Sequence, residues 1–120
     1  ILLNTRMLKR LVSHINNAQS VILTTHKQCD GDGLSAQLSV FHALKTLGKK
    51  VRVLNVDATP NKYRFLNPDE HIQYFDSHYD SIEPTDLALV FDTNDKRLLM
   101  PLYPELEKKC KNILFIDHHP

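Results

Sequence analysis

Glycine and cysteine are scarce in this chain of 120 residues, with three of the first and two of the second. So few glycines leave little room for a glycine-rich phosphate loop, and neither a Walker loop nor a dinucleotide-binding fingerprint is present. Cys29 and Cys110 form no CxxC pair, and two thiols in a chain of this size point to a reducing cytoplasm rather than a disulfide framework. An excess of one charge is also lacking: Lys+Arg number 15 and Asp+Glu 14, a net charge of +1. That balance argues against nucleic acid held by bulk electrostatics, so no stable duplex DNA binding is expected, and against a polybasic membrane anchor. No apolar run approaches the length that crosses a bilayer. The opening Ile1-Leu2-Leu3-Asn4-Thr5-Arg6 lacks the layout of a secretory signal and has no initiator Met. Histidine, by contrast, is plentiful, at seven.

A chain of this length can bury a core without a disulfide or a structural metal. Apolar residues at helical spacing (Met7, Leu8, Leu11, Val12, Ile15) predict an amphipathic helix over 5–17. Val21-Ile22-Leu23-Thr24-Thr25 is a β-branched apolar run of the kind covered on both faces of a parallel sheet. After a break at Asp30-Gly31-Asp32-Gly33, a second helix is predicted over 34–47, with Leu34, Leu38, Val40, Phe41, Leu44 and Leu47 on its apolar face and Gly48 as its stop. A strand over 51–56 follows, then a loop with a helical turn over 59–67 and a short strand over 71–75. Two buried strands over 87–91 and 112–116 enclose a helix over 104–110. Strands alternating with helices predict an α/β fold with a mostly parallel, Rossmann-like sheet flanked by helices.

In such sheets the ligand site lies at the carboxyl ends of the strands. There the first strand runs into His26-Lys27-Gln28-Cys29-Asp30-Gly31-Asp32, the strand over 87–91 into Asp92-Thr93-Asn94-Asp95, and the last into Asp117-His118-His119. Taken singly, each has a plain reading as a helix cap or turn former. Taken together, they bring carboxylates and imidazoles to one edge, which suits a two-metal site for Mn²⁺, with Mg²⁺ the second choice. The Asp-Gly-Asp spacing lets two carboxylates diverge towards two ions, and a third such as Asp92 can bridge them. Ions roughly 4 Å apart can activate water and neutralise charge on an in-line phosphoryl transition state. Other motifs fit less well: an EF-hand loop from Asp30 would need Glu where Phe41 stands, and the histidine spacing of zinc proteases is missing. A haloacid-dehalogenase-type phosphatase would need its nucleophilic Asp at the position of His26.

The pattern His26-x-x-x-Asp30-Gly31-Asp32, then Asp92, then Asp117-His118-His119-Pro120 resembles the DHH phosphoesterase family. Leu47-Gly48-Lys49-Lys50-Val51 and Asn61-Lys62-Tyr63-Arg64-Phe65-Leu66 look like its branch of oligoribonucleases that also dephosphorylate 3′-phosphoadenosine-5′-phosphate. The resemblance implies that His26 and Asp30 hold one Mn²⁺, Asp32 and His118 the other, and Asp92 bridges both. His119 would then face the substrate phosphate and Asp117 orient the histidine pair. It also implies a short oligonucleotide or nucleotide phosphate as substrate and a homodimer of the full-length protein. Two local departures stand out: Gln28-Cys29 where the family often has Asn-Pro, and Gly33-Leu34-Ser35-Ala36 where it often has Ala-x-Gly-Ser. Family members carry a further metal-binding Asp and a glycine-rich substrate domain after the triplet. Residues 1–120 are therefore expected to be the amino-terminal part of a longer enzyme, inactive or nearly so alone.

Within the family the rivals are a RecJ-type exonuclease, a cyclic-dinucleotide phosphodiesterase, and a pyrophosphatase or exopolyphosphatase. Outside it stands a non-catalytic metal- or nucleotide-binding module. His14, His42, His71 and His78 are expected at the surface, Lys49-Lys50 and Lys108-Lys109-Lys111 on solvated faces, and Phe65 in packing, with Arg64 open between packing and substrate contact. Asp95 is expected to cap a turn.

Overall fold

The computed structural model describes residues 5–116. Its elements in chain order are α1 (Thr5–Asn17), β1 (Ser20–Thr25), α2 (Gly31–Thr46), β2 (Lys50–Asn55), a 3₁₀ turn over Asn61–Leu66, β3 (Ile72–Tyr74), β4 (Thr85–Phe91), a second 3₁₀ turn over Lys96–Leu99, α3 (Tyr103–Lys109) and β5 (Cys110–Ile116). The five strands form one sheet in the order β3-β2-β1-β4-β5, and every neighbouring pair is parallel. The predicted α/β architecture is the one observed.

Alternation along each strand builds two cores from continuous apolar runs, because successive side chains point to opposite faces. Val21 and Leu23 of β1, Val53 of β2 and Leu87 and Leu89 of β4 face α2, where Leu34, Phe41 and Leu44 meet them, with Leu11 and Ile15 of α1 packed alongside. Ile22, Leu54, Ala88 and Val90 face the other way, onto Leu99, Leu102 and Leu106. Both faces of the central strands are thereby closed to water, which is why β1 and β4 carry no polar alternation.

Several local expectations change. The second helix begins at Gly31, not Leu34, because Asp30 is its N-cap and accepts a hydrogen bond from Gly33 N at 3.0 Å. Leu47 lies beyond the helix end and is 65% exposed, while Gly48 takes φ +81 as the helix stop. The last strand is at the sheet edge and only its terminal Ile116 is buried, so it is not the two-sided buried strand the apolar run predicts. Phe65 is 74% exposed rather than packed. His71 is half-buried, its ring against those of Phe41 and His42.

The chain winds outward from β1 through β2 to β3, then returns to β4 on the other side of β1. The strand order thus reverses between β1 and β4, and their carboxyl ends flank the crevice where open α/β sheets bind ligands.

Candidate metal and phosphate site

Thr25 and Phe91 are register partners at the ends of β1 and β4, and Thr25 Oγ1 donates to the Phe91 carbonyl at 2.9 Å. That bond pins the two strand ends together. The next residues in the chain, His26 and Asp92, meet across the crevice with Nε2 and Oδ2 3.5 Å apart. Both side chains are about three-quarters shielded, at 22% and 28% exposed.

Each is aimed by its backbone. Asp92 stands in the left-handed region at φ 66, a conformation that Asp tolerates better than most residues, and its N–H donates to Ile116 O at 2.9 Å. The chain therefore turns sharply off the sheet at this carboxylate. On the other side, His26 Nδ1 lies against the Lys27 carbonyl, which can only accept, so Nδ1 carries the ring proton. In the neutral ring Nε2 then presents a lone pair towards the Asp92 carboxylate. A proton on Nε2 makes this contact an ion pair, and with the neutral ring the nitrogen and the carboxylate are both donors that a divalent cation can share.

The loop from Lys27 to Asp30 is tied down on both sides. Lys27 N donates to Leu98 O at 3.0 Å. Gln28 is also left-handed, at φ 60, and its N–H donates to Asp57 Oδ2 at 2.8 Å. Asp57 lies just beyond β2, so three neighbouring strands deliver a carboxylate or imidazole to the same edge. The strand-end rule that singles out Asp92 reaches Asp57 equally, two residues beyond the end of β2 at Asn55.

Asp30 and Asp32 open α2. Asp30 Oδ1 is committed to the helix cap, which leaves its second oxygen for other partners, and Asp32 is exposed in the first turn, where the helix dipole favours a carboxylate. The two small residues between and after them are dictated by packing. A Cβ on Gly31 would lie 2.9 Å from Tyr63 Cε1, and one on Gly33 would overlap Cys29 Sγ. Cys29 is buried, and burial pushes its thiol above the usual value. Burial takes the Cys110 thiol to about 11. Asp95 caps the 3₁₀ turn over Lys96–Leu99, as expected, and the Arg97 guanidinium holds its carboxyl below the ordinary range.

A cavity of about 310 Å³ opens beside this loop, bordered by Gln28, Asp30, Asp57, Lys62 and Tyr63. Its volume lies at the lower end of the range for small-molecule sites. Among the described residues, no three His, Cys, Asp or Glu side chains converge closely enough to hold a metal ion. Asp117, His118 and His119 lie outside the described residues; they follow Ile116, the register partner of Phe91. The structure therefore brings His26 and Asp92 together, with Asp30 and Asp32 on the adjoining helix start. The donors are oxygen and imidazole nitrogen, a set suited to Mn²⁺ or Mg²⁺. Among the described residues no helix is long and apolar enough to cross a membrane.

The family model described as DHH family, N-terminal domain, matches residues 20–120. The chain is 31% identical over 110 residues to the bifunctional oligoribonuclease and PAP phosphatase NrnA of Mycoplasma genitalium, a match covering 91% of this chain and 33% of that protein. In fold it is similar to the crystal structure of an exopolyphosphatase-related protein from Bacteroides fragilis, with a TM-score of 0.81 at 20% identity, over 93% of this chain and 34% of that one. The chain spans about a third of the length of either relative.

Proposed function

The chain belongs to the DHH family, as its N-terminal domain, and on that premise we propose that it is the metal-binding part of a cytoplasmic Mn²⁺-dependent phosphoesterase. Its substrates are short oligonucleotides, 3′-phosphoadenosine-5′-phosphate, or both. The observation that carries this reading is the approach of His26 Nε2 to Asp92 Oδ2 at the point where the strand order reverses. The substrate class is supported by the relative named as an oligoribonuclease and PAP phosphatase, and the cytoplasmic setting by two free cysteines.

In this proposal His26 and Asp30 would hold one ion, Asp32 and His118 the other, and Asp92 would serve both. Bound there, divalent ions supply Lewis-acid polarisation of the phosphoryl group and of an attacking water. The protein contributes orientation. The Lys27 carbonyl fixes the His26 tautomer, so that Nε2 is the donor nitrogen. The left-handed turn at Asp92 directs its carboxylate across the crevice. The cap that Asp30 gives to Gly33 N sets the direction of its remaining oxygen. By the family resemblance, His119 would meet the substrate phosphate and Asp117 would orient the histidine pair.

The test is hydrolysis of a dinucleotide and of 3′-phosphoadenosine-5′-phosphate by the natural full-length protein, with and without Mn²⁺. Release of mononucleotide or phosphate only with the metal is expected. No turnover of either substrate at any Mn²⁺ concentration would contradict the reading.

A further inference from the structure

We propose that this domain carries its own nucleoside-binding trough, running from the metal site along the sheet edge to β3. The proposal rests on the reading of the chain as a phosphoesterase of nucleotides, and assigns the base to residues outside the metal motifs. A second cavity, of about 560 Å³, lies beyond the first and is lined by Arg64, Asn67, Glu70 and Tyr74 among others. The two cavities share Ala58 and Thr59, and the first reaches Asp30. Together they form a path from the helix start to the end of the edge strand.

The chemistry changes along this path in the sense a nucleotide requires. Near Asp30 the lining holds two carboxylates, Asp30 and Asp57, beside the Lys62 ammonium, so that end suits a phosphate once a divalent ion neutralises the carboxylates. At the far end Tyr74 is 53% exposed, and Arg64 is exposed and makes no ion pair among the described residues. A phenol ring and a guanidinium plane are the two surfaces on which nucleobases stack, irrespective of base identity. Glu70 beside them can accept from an exocyclic amino group. With an ion on those carboxylates, the phosphate would lie towards Lys62 and the base towards Tyr74. Its reach also fits: β3 lies two strands from β1, or about 10 Å at the usual strand spacing, within the span of one nucleotide.

The experiment is equilibrium binding of AMP and of inorganic phosphate to the natural full-length protein with Mn²⁺, comparing Tyr74→Ala and Arg64→Ala with the wild type. Both side chains are exposed, so the variants keep the fold. A control, Tyr79→Ala, removes a ring that is 88% exposed and lines neither cavity. About a tenfold loss of AMP affinity relative to phosphate is expected for each trough variant, with the control binding AMP like the wild type. AMP binding by both trough variants equal to the wild type, or wild-type binding of AMP no tighter than of phosphate, would overturn the proposal. Failure of the phosphoesterase reading shows separately, as wild-type protein that binds AMP through Tyr74 yet hydrolyses no phosphoester.

Discussion

Cys29 and Gly33 share one volume: the sulfur of the first occupies the space in which a Cβ on the second would stand. Both positions depart from the pattern the family often shows, and the contact makes them a single exchange, in which a buried thiol in the loop requires a residue without a side chain one helical turn later. Gly33→Ala alone therefore overpacks the loop and is expected to destabilise the fold by about 1–3 kcal/mol. Combined with Cys29→Ala, the cost should largely disappear, since Ala is the better helix former. Urea unfolding of the two single variants and the double measures this, with a coupling of at least about 1 kcal/mol expected and simple additivity contradicting it.

Asp57 governs the loop from the other side. Asp57→Ala removes the acceptor for Gln28 N and leaves a left-handed residue without its anchor. Loss of about 1 kcal/mol of stability is expected. Mn²⁺ affinity should fall roughly tenfold, the scale at which partners of metal ligands act. Asp57→Asn keeps an acceptor oxygen and should recover most of both. Calorimetric titration with Mn²⁺ separates the outcomes: an alanine variant with wild-type affinity would remove Asp57 from this role.

Stability in acid is tied to Asp86. Its carboxylate accepts from Gln19 N at 2.8 Å and Ser20 N at 3.3 Å, joining the start of β1 to β4, and Lys111 approaches at 3.4 Å. These contacts, the backbone N–H of Gln19 foremost, hold its carboxyl below the ordinary 3.8. A depressed carboxylate contributes stability that is present above its unfolded value and lost as pH falls through the folded one. Asp86→Asn should therefore lower stability at pH 7 and flatten its decline below about pH 4. Thermal melts across pH 2–7 check this, and parallel curves for variant and wild type would contradict it.

Much of this fold was legible because the strands are continuous apolar runs and their order follows from alternation with helices. The runs over 21–25 and 87–91 lie within the buried centre of the sheet, and the polar residues just after them, His26 and Asp92, meet as the strand-end rule requires. The start of α2 differs from the pattern because Asp-Gly-Asp-Gly reads as a turn, whereas a capping Asp outweighs two glycines of poor helix propensity. Phe65 departs from expectation because hydrophobicity alone does not say which side of a 3₁₀ turn meets the core, and Tyr63 and Leu66 do so instead. The left-handed Gln28 and the buried pair Gln37–Asn55, which exchange two hydrogen bonds at 2.7 and 3.0 Å, leave no local pattern, since each depends on a partner distant in sequence.

The claim that His26 and Asp92 form the heart of a metal site is tested most directly by Mn²⁺ titration of the natural full-length protein beside Asp92→Asn, with circular dichroism to verify the fold. The wild type is expected to bind two Mn²⁺ per chain and to hydrolyse a dinucleotide only when loaded. The variant should keep its spectrum, lose tight binding and lose at least about a hundredfold in turnover, the scale of removing one strong electrostatic contributor to a transition state. Two ions bound and turnover unchanged in Asp92→Asn would contradict the account.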